Sequence, residues 1–448
     1  MKIICGFIGL QFTFTAYLIE HIMAMRQDKK PVLVIIGGGF GGIELIKKLR
    51  NAPFDIILID KNNHHTFQPL LYQVASCGLS AVSITAPFRR IFKGQKNFRF
   101  RMTEVTGIDP DQKKIISQVG DISYDYLVIA TGSVSNFFNN EELAKNSISL
   151  KDIMDALNLR SLLLREFELA ITRNQSEEKK ILLNFVIIGG GATGIEIAGA
   201  LAEFKKHIVA SDYPELDPGL MNIHLIEAAD RILPMMSEKS SSKAYQYLTH
   251  MGVKVWLNTR VSNYDGLNVT LTDGTILRSS AFIWTAGVKG ALIPGINEDS
   301  IINKNRYIVN EFNQVKGYDN IYSIGDVAAM ISPATPKGHP LLAMPAIQQG
   351  KKLAGNLKLQ LEGRPMQKFS YTDLGVLATI GRNKAVAELP FGKFSGFFAW
   401  FLWMFIHLIR LIGFRNRLII LIEWMFSYFT YEYSFRIITQ NDKKKPAR

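Results

Sequence analysis

The chain has 448 residues, of which 47% are hydrophobic and 20% are charged. This length predicts two or three domains, and the composition excludes a disordered or fibrous chain. Formal net charge is +13, and more than half of the positive excess lies from residue 382 onward. No nucleic-acid-binding motif accompanies the charge, so we predict no nucleic-acid partner and expect an anionic surface to face the C-terminal part.

Only two cysteines occur, Cys5 and Cys77. This number excludes a disulfide framework, a Cys-x-x-Cys redox pair and a cysteine zinc cluster, and it fits a reducing compartment. His64 and His65 have no further metal ligands at suitable spacing, so we predict no metal site.

An apolar run at residues 3–19 resembles a signal segment or a short anchor. No small-residue cleavage pattern follows it, and a misassigned start codon upstream of Met23 or Met25 explains the run equally well. We treat residues 1–30 as an N-terminal extension whose role is open and leave it out of the fold prediction.

The first strong signal is an apolar run at 32–36 that leads into the glycine-rich segment GGGFGG and a helical pattern. In a strand–turn–helix unit of this kind, Gly37 permits the turn, Gly39 lets a pyrophosphate approach the backbone, and Gly42 lets helix and strand pack closely. The next apolar run ends in Asp60, whose carboxylate can accept hydrogen bonds from a ribose. This segment predicts a dinucleotide-binding loop.

The same arrangement recurs in the middle of the chain, with Gly189, Gly191 and Gly194 in the glycine positions. The following apolar run ends in Glu227, where a carboxylate favours NADH because it repels the 2′-phosphate of NADPH. Its distance from Gly189 exceeds the usual spacing of about 20 residues, and Arg231 leaves NADPH open. A purely structural strand–turn–helix connection is the alternative for either loop taken alone.

A related segment follows each loop, YDYLVIATGS at 124–133 and SSAFIWTAGV at 279–288, and short alternating segments precede both. Each half therefore predicts a nucleotide-binding unit with a small antiparallel meander. We predict an α/β fold with two Rossmann-like dinucleotide-binding domains, the first interrupted by the second. The predicted divisions are a first domain at 31–150 and 316–365, a second domain at 151–315, and a C-terminal region at 366–448.

The C-terminal region contains the most apolar and aromatic stretch, FFAWFLWMFIHLI at 397–409, which Arg410 interrupts before a second run rich in aromatic residues. The first run is shorter than the roughly 20 apolar residues of a membrane span. Two amphipathic helices joined near residues 413–416 fit better, with Trp and Tyr at the interface and arginines facing anionic head groups. We predict a membrane anchor that does not cross the bilayer; a buried helix pair or a dimer interface is the alternative.

The chain from about residue 31 to 438 resembles the type II, non-proton-pumping NADH:quinone oxidoreductases among the two-dinucleotide-binding-domain flavoproteins. The resemblance rests on six segments: HHTFQPLLYQVA at 64–75, GATGIEIAGALAE at 191–203, SIGDVA at 323–328, AMPAIQQG at 343–350, LATIGRNKAVA at 377–387 and GFRNR at 413–417. It implies that the first loop binds FAD and that Thr131 and Gly132 lie against it. Asp326 is expected at the FAD ribityl or phosphate, with a helix N-cap as the alternative.

The resemblance also implies two side chains for catalysis, Glu196 near the nicotinamide and the quinone, and Gln348 at the flavin and the quinone headgroup. A role of Glu196 at the helix dipole is the alternative. The family often shows Ala-Gln-x-Ala-x-Gln where this chain has residues 343–348, so Met344 replaces the first Gln. We predict that Met344, Ala346 and Gln348 contact the quinone. We interpret Arg382 and Lys384 as solvated surface charges, with support of the flavin or of the quinone headgroup as the alternative.

The expected function is hydride transfer from NADH to FAD and then two-electron transfer to a quinone, without proton pumping, in a respiratory chain. The protein is expected to lie peripherally on a membrane, at the cytoplasmic face of a bacterial inner membrane or its equivalent, and a homodimer is left open. A soluble NADH-dependent flavin oxidoreductase with a protein or oxygen acceptor and a redox-sensing flavoprotein without turnover are the alternatives.

Overall fold

The computed structural model describes residues 30–303, 305–333, 335–432 and 435–439. The predicted N-terminal extension lies outside the described residues except for Lys30. The α-helices of the described residues are, in chain order, α1 (Phe40–Lys48), α2 (Leu71–Ala75), α3 (Phe88–Ile91), α4 (Glu141–Asn146), α5 (Ile153–Thr172), α6 (Ser176–Leu182), α7 (Ala192–Phe204), α8 (Ala210–Asp212), α9 (Glu238–His250), α10 (Ala343–Leu361), α11 (Phe397–Arg410) and α12 (Phe414–Thr430).

The strands are, in chain order, β1 (Val32–Ile36), β2 (Asp55–Asp60), β3 (His64–Thr66), β4 (Thr85–Pro87), β5 (Phe98–Met102), β6 (Val105–Asp109), β7 (Lys114–Ser117), β8 (Ile122–Ser123), β9 (Tyr126–Ile129), β10 (Ser133–Ser135), β11 (Ile148–Ser149), β12 (Asn184–Ile188), β13 (Asn222–Ile226), β14 (Lys254–Trp256), β15 (Val261–Tyr264), β16 (Asn268–Leu271), β17 (Ile276–Arg278), β18 (Ala281–Trp284), β19 (Val288–Gly290), β20 (Ile301–Ile302), β21 (Arg306–Val309), β22 (Ile321–Ser323), β23 (Ala328–Met330), β24 (Val376–Thr379), β25 (Ala385–Leu389) and β26 (Gly392–Ser395).

The first compact unit comprises the described residues up to Asn63, Phe92–Gly132 and Leu292–Ser370. Its main sheet has the strand order β22-β9-β1-β2-β5, and all neighbouring strands are parallel. Strand β1 is apolar and almost completely buried, as expected for a central strand of a parallel sheet covered on both faces. The meander β6-β7-β8 follows, and α10 packs against α1.

The second compact unit comprises His64–Ile91, Ser133–Ala291 and the described residues from Tyr371 onward. Its main sheet repeats the pattern of the first, with parallel strands in the order β11-β18-β12-β13-β14. The antiparallel meander β15-β16-β17 packs its buried side chains with those of β12 and β18 in one apolar cluster. The predicted α/β fold class and both predicted meanders are confirmed.

The chain passes from one compact unit to the other after residues 63, 91, 132, 291 and 370. The predicted domain boundaries lie at residues 150, 315 and 365. One physical reason is the pairing of β10 with β19, which brings the segment after residue 132 together with residues 288–290. The segment 64–91, which contains α2, also groups with the second unit. Neither regrouping has a marker in the local pattern, because both depend on contacts between residues far apart in sequence.

The C-terminal region contains a three-stranded antiparallel sheet, β24-β25-β26, which the sequence patterns do not predict. Helix α11 packs on β25 through Ala385, Ala387 and Ala399, all fully buried, because small side chains let a helix approach a sheet closely. The two helices predicted at the C-terminus are present as α11 and α12. In the described part of the chain, no helix combines the length and the apolar character that crossing a bilayer demands.

The packing around the second glycine loop generates a stability prediction. A Cβ on Gly194 would overlap the carbonyl oxygen of Gly189 and come within 2.9 Å of Thr285 Oγ1, whereas a Cβ on Gly191 would meet no atom within 4 Å. We therefore expect Gly194→Ala to lower the free energy of unfolding by about 1–3 kcal/mol. Thermal unfolding without added NADH measures the effect.

Gly191→Ala is the matched control for this substitution, because it adds the same methyl group three residues away into open space. Its melting temperature should stay close to that of the unmodified protein. An equal loss of stability in the two variants would contradict the argument.

Candidate functional site

The first glycine-rich loop is held by a carboxylate from the end of β2. Gly37 adopts φ +104°, a conformation that favours glycine. The Asp60 carboxylate accepts hydrogen bonds from the Gly38 N–H at 2.7 Å and from the Asn62 N–H at 2.8 Å. Gly39 follows as the exposed N-cap residue of α1, with open space in front of it. The N-terminus of α1 is therefore accessible to a phosphate group.

The second loop repeats this geometry. Gly189 also has φ +104°. The Glu227 carboxylate accepts from the Gly190 N–H at 2.5 Å and from the Ala229 N–H at 2.8 Å. Gly191 is the exposed N-cap residue of α7 and has open space in front of it. Glu227 thus occupies in the second loop the position that Asp60 occupies in the first.

The long spacing between Gly189 and Glu227 has a local explanation. A π-helical segment (Lys205–Val209), the short helix α8 and a 3₁₀ turn (Pro218–Leu220) extend the chain between α7 and β13. The strand itself keeps its place beside β12, so its end still meets the glycine loop. Arg231, which leaves NADPH open in the sequence, donates a hydrogen bond to Pro234 O at 3.4 Å.

The other predicted flavin-binding residues lie around the first loop. A Cβ on Gly37 would lie 3.0 Å from Thr131 N, so the turn that also contains Gly132 lies against this glycine. Asp326 lies in a 3₁₀ turn, Gly325–Val327, directly after β22. The N-cap alternative for Asp326 is wrong, because the residues that follow form the strand β23 and no helix.

The three predicted quinone-contacting residues lie in the first two turns of α10. Ala346 is buried, while Met344 and Gln348 are half-buried. The carbonyl oxygen of Ala346 would lie 3.1 Å from a Cβ on Gly41, so this end of α10 packs directly on the first glycine loop. These three positions and the first loop belong to the same compact unit.

A cavity of about 380 Å³ lies within the second unit. Its lining is mainly apolar and aromatic and comes from the α2 segment, α7, the end of β24, α11 and α12. The lining residues are Tyr72, Gln73, Ser76, Gly78, Glu196, Ala200, Glu203, Thr379, Gly381, Arg382, Phe397, Trp400, Trp403, Met404, Leu421, Trp424, Met425, Ser427, Tyr428 and Phe429. A cavity of this size and character suits a small aromatic ligand.

Glu196 is a carboxyl group in this cavity and is only 8% exposed. Burial raises the pKa of Glu196 to about 8, while contacts with the Thr379 backbone and the Trp403 side chain lower it by a smaller amount. The group is therefore protonated at neutral pH. Helix α7 begins at Ala192, which puts Glu196 beyond the first turn, where the dipole effect has fallen off. The helix-dipole alternative does not fit this position.

Arg382 lines the same cavity, and its interpretation as a solvated surface charge is wrong. Its guanidinium donates hydrogen bonds to the carbonyl oxygens of Ser427 at 2.7 Å and Tyr428 at 2.9 Å. The guanidinium also lies 3.9 Å from the centre of the Tyr431 ring. Its backbone N–H donates to Glu203 Oε1 at 2.8 Å. Arg382 therefore caps the C-terminal end of α12 and holds that helix along the cavity.

Two further hydrogen bonds attach α12 to the segment 73–85. Asn416 Nδ2 donates to Thr85 O at 2.8 Å, and the Trp424 indole N–H donates to Gln73 Oε1 at 2.8 Å. Together with the contacts of Arg382, these hydrogen bonds hold α12 near its N-terminus, in its middle and at its C-terminal end.

Comparison with known proteins gives the family. Residues 31–350 match the model described as pyridine nucleotide-disulphide oxidoreductase, and residues 374–430 match the NDH2 C-terminal domain. The chain is 35% identical over 419 residues to the type II NADH:quinone oxidoreductase Ndh of Mycobacterium tuberculosis, an alignment that covers 90% of this chain and 89% of that protein. The chain belongs to the type II NADH:quinone oxidoreductases. A member from Haemophilus influenzae is 31% identical over 399 residues, 81% of this chain and 88% of that protein.

Solved structures show the same fold. The structure of NDH2 from Plasmodium falciparum in complex with NADH superposes with a TM-score of 0.84 at 22% identity and covers 92% of this chain and 100% of that one. A sulfide:quinone oxidoreductase from Aquifex aeolicus superposes with a TM-score of 0.68 at 21% identity, covering 90% of this chain and 96% of that one.

FAD is the cofactor typical of this oxidoreductase family, and the first unit fits it. The unit provides a left-handed glycine turn at Gly37, open space before Gly39 at a helix N-terminus, and the Asp60 carboxylate at the end of the next strand. These are the features that a dinucleotide requires of a βαβ unit. The second unit provides the same three features for NADH.

The structure also identifies residues that the sequence patterns do not single out. Trp403, Trp424 and Tyr72 join Glu196 in the cavity, although they come from three separate segments. From the sequence alone, the aromatic residues of α11 and α12 are interpreted as facing a membrane. The sequence pattern does not show which face of each helix points into the protein. The residues of α10 and those of the cavity belong to different compact units.

The buried Glu196 carboxyl predicts a pH-dependent stability. The folded-state pKa of about 8 lies above the ordinary value of 4.5, so this group costs stability as the pH rises from about 4.5 to 8. Glu196→Gln cannot ionise. We therefore expect the melting temperature of Glu196→Gln to rise relative to that of the unmodified protein between about pH 5 and 8 and to level off above. Thermal unfolding of both proteins across this range tests it.

Glu215→Gln is the control for this comparison, because Glu215 is exposed. The difference between Glu215→Gln and the unmodified protein should not change systematically with pH. A flat difference for Glu196→Gln as well would show that Glu196 is ionised in the folded protein.

Proposed function

We propose that the protein oxidises NADH and reduces a quinone, without proton pumping, while it lies on a membrane surface. The balanced reaction is NADH + H⁺ + quinone → NAD⁺ + quinol. The observation that carries the proposal is the presence in one chain of two dinucleotide loops with the same geometry and of an aromatic cavity that contains a neutral carboxyl group.

The chain's own residues bind and orient the reactants. FAD bound in the first unit would supply the hydride acceptor for NADH and the two-electron donor for the quinone. Asp60 and Glu227 each stabilise a glycine loop and offer carboxylate oxygens to a ribose hydroxyl. A hydride transfer needs alignment and exclusion of water and no side chain as acid or base. Thr131, Gly132 and Asp326 are our further candidates for contacts with the flavin.

Reduction of a quinone consumes protons, and Glu196 is our candidate for supplying one of them. Its carboxyl is protonated at neutral pH because it is buried in an apolar cavity. After it donates, the group recovers its proton from solvent. Gln348, half-buried on α10, is our second candidate and would orient the quinone by hydrogen bonding, with Met344 and Ala346 as apolar contacts.

Two alternatives share the dinucleotide loops. A soluble flavin oxidoreductase would pass electrons to a protein or to oxygen, and a redox sensor would bind NADH without turnover. The names of the relatives and the aromatic cavity support a quinone as acceptor.

An anaerobic titration tests the reaction. NADH added to the purified flavoprotein should bleach the flavin spectrum, and ubiquinone-1 or menadione added next should restore it within the turnover time. Absence of bleaching would contradict the electron-transfer proposal. Restoration by oxygen or by a protein acceptor, with no restoration by either quinone, would favour the soluble oxidoreductase. Slow recovery with every acceptor would favour the sensor.

The outer faces of α11 and α12 support membrane binding. Their exposed apolar side chains outside the cavity recur at helical spacing, and the members of this apolar face are Phe398, Phe401, Phe405, Ile409, Phe414, Leu418, Ile422 and Phe426. An exposed face of this size on two adjacent helices marks an interaction site. Arg410, Arg415 and Arg417 lie at and beside the junction of the helices, where they can meet anionic head groups.

We assign this apolar face to a lipid surface, because the arginines at its edge complement anionic lipids. The cytoplasmic leaflet carries such lipids, and we propose the cytoplasmic face of a bacterial inner membrane or its equivalent as the location. The predicted alternative of a buried helix pair is wrong for the single chain, because these side chains are exposed. A homodimer through the apolar face is the remaining competitor.

Vesicle binding tests the apolar face. The double variant Phe405→Ser/Phe426→Ser should bind vesicles of mixed neutral and anionic lipids roughly tenfold more weakly, because two aromatic side chains no longer enter the acyl region. Co-sedimentation measures the partition. Phe391→Ser is the control, since Phe391 is 74% exposed and lies outside both helices. Unchanged vesicle binding together with a shift from dimer to monomer would assign the face to a copy of the chain.

A further inference from the structure

The loop after β10 presents an exposed aromatic side chain on a strained backbone. Phe138 is 65% exposed, and its φ of +51° lies in the left-handed region, as does the φ of +62° at Asn139. A bulky residue rarely adopts this conformation, and strained residues of this kind cluster at functional sites. The preceding residue, Phe137, packs against the apolar cluster of the second unit. Core packing therefore accounts for Phe137 but leaves the exposure and the strain of Phe138 unexplained.

Hydrogen bonds attach this loop to the turn that follows β18. The Asn136 backbone N–H donates to the carbonyl oxygen of Gly287 at 3.2 Å, and the Trp284 indole N–H donates to the carbonyl oxygen of Asn136 at 3.1 Å. A Cβ on Gly287 would lie 3.1 Å from Phe138 Cζ, so the Phe138 ring lies directly against this turn. The position of the ring is thus set by the end of β18.

The same turn lies against the second glycine loop. A Cβ on Gly189 would come within 2.9 Å of the backbone nitrogen of Ala286, and Thr285 Oγ1 donates to the carbonyl oxygen of Ile188 at 2.7 Å. The Phe138 loop, the turn and the glycine loop all belong to the second unit. An exposed aromatic ring therefore lies beside the loop that we assign to NADH.

The strand order shows which half of NADH would lie near this ring. In the parallel sheet β11-β18-β12-β13-β14, the glycine loop follows the central strand β12. Glu227 follows β13 on one side of that loop, and the turn with Gly287 follows β18 on the other side. A dinucleotide with its pyrophosphate at the helix N-terminus and its adenosine ribose at Glu227 extends its nicotinamide half toward β18.

We propose that the Phe138 side chain contacts the nicotinamide half of NADH bound at the second glycine loop. A flat aromatic ring gains contact area when a nucleotide covers it, and the strained backbone holds the ring in place before the ligand binds. Phe138 is a binding residue in this proposal and transfers neither a proton nor a hydride. The inference rests on the proposed NADH oxidation and adds a contact residue from outside both glycine loops.

Calorimetric titration of the oxidised holoprotein tests the inference with two ligands. NAD⁺ carries the nicotinamide and does not reduce the flavin, whereas ADP-ribose lacks the nicotinamide. Phe138→Ala should raise Kd for NAD⁺ roughly fivefold and leave Kd for ADP-ribose within about twofold. Phe138→Tyr keeps the ring and should keep Kd for NAD⁺ within about twofold of the unmodified protein. An unchanged Kd for NAD⁺ in Phe138→Ala, or an equal rise for both ligands, would overturn the inference.

A glycine variant separates ligand binding from folding. Phe138→Gly should melt at the temperature of the unmodified protein or above it, because glycine adopts a positive φ without steric cost. Its Kd for NAD⁺ should rise as it does in Phe138→Ala. A lower melting temperature together with weaker binding of both ligands would assign the ring to packing on Trp284, whose ring centre lies 6.3 Å away, and would overturn the inference.

Phe391→Ala is the matched control. Phe391 is 74% exposed and belongs to the same unit, but it lies between β25 and β26. This variant should bind NAD⁺ and ADP-ribose as the unmodified protein does. An unmodified holoprotein whose flavin NADH does not bleach would contradict the proposed function itself. Normal bleaching, with Kd for NAD⁺ unaffected in Phe138→Ala, would contradict only the role of Phe138.

Discussion

One hydrogen bond organises each half of the protein: a carboxylate at the end of the second strand accepts from the N–H of the glycine that follows the turn. Asp60 makes this contact with Gly38, and Glu227 makes it with Gly190. The contact ties the loop to the neighbouring strand and leaves the N-terminus of the following helix open. We propose that the same carboxylate both stabilises the loop and accepts hydrogen bonds from a ribose.

The cavity depends on a different constraint, the removal of water from a carboxyl group. The inner faces of α11 and α12 enclose Glu196 with aromatic rings, and this desolvation keeps the carboxyl neutral. The outer faces of the same two helices remain apolar and exposed. A single pair of helices thus provides the low-polarity environment of the acid on one side and a surface suited to lipid on the other.

Local sequence patterns predict most of the fold. The apolar runs before each glycine cluster, the strand-end carboxylates and the helical periodicity that follows are all readable in sequence, and the structure has both βαβ units and both meanders. The sheet β24-β25-β26, the grouping of residues 64–91 with the second unit and the bonds of Arg382 are not readable. Each of these depends on partners far away in sequence, and a charged side chain gives no local sign that distant carbonyl groups will accept its protons.

The contacts of Arg382 indicate that the cavity is completed late in the synthesis of the chain. Its acceptors, Ser427 and Tyr428, belong to the last turn of α12. During synthesis the segments that form both dinucleotide loops leave the ribosome well before this turn does. The nascent protein therefore contains both nucleotide-binding loops before α12 can close the wall around Glu196.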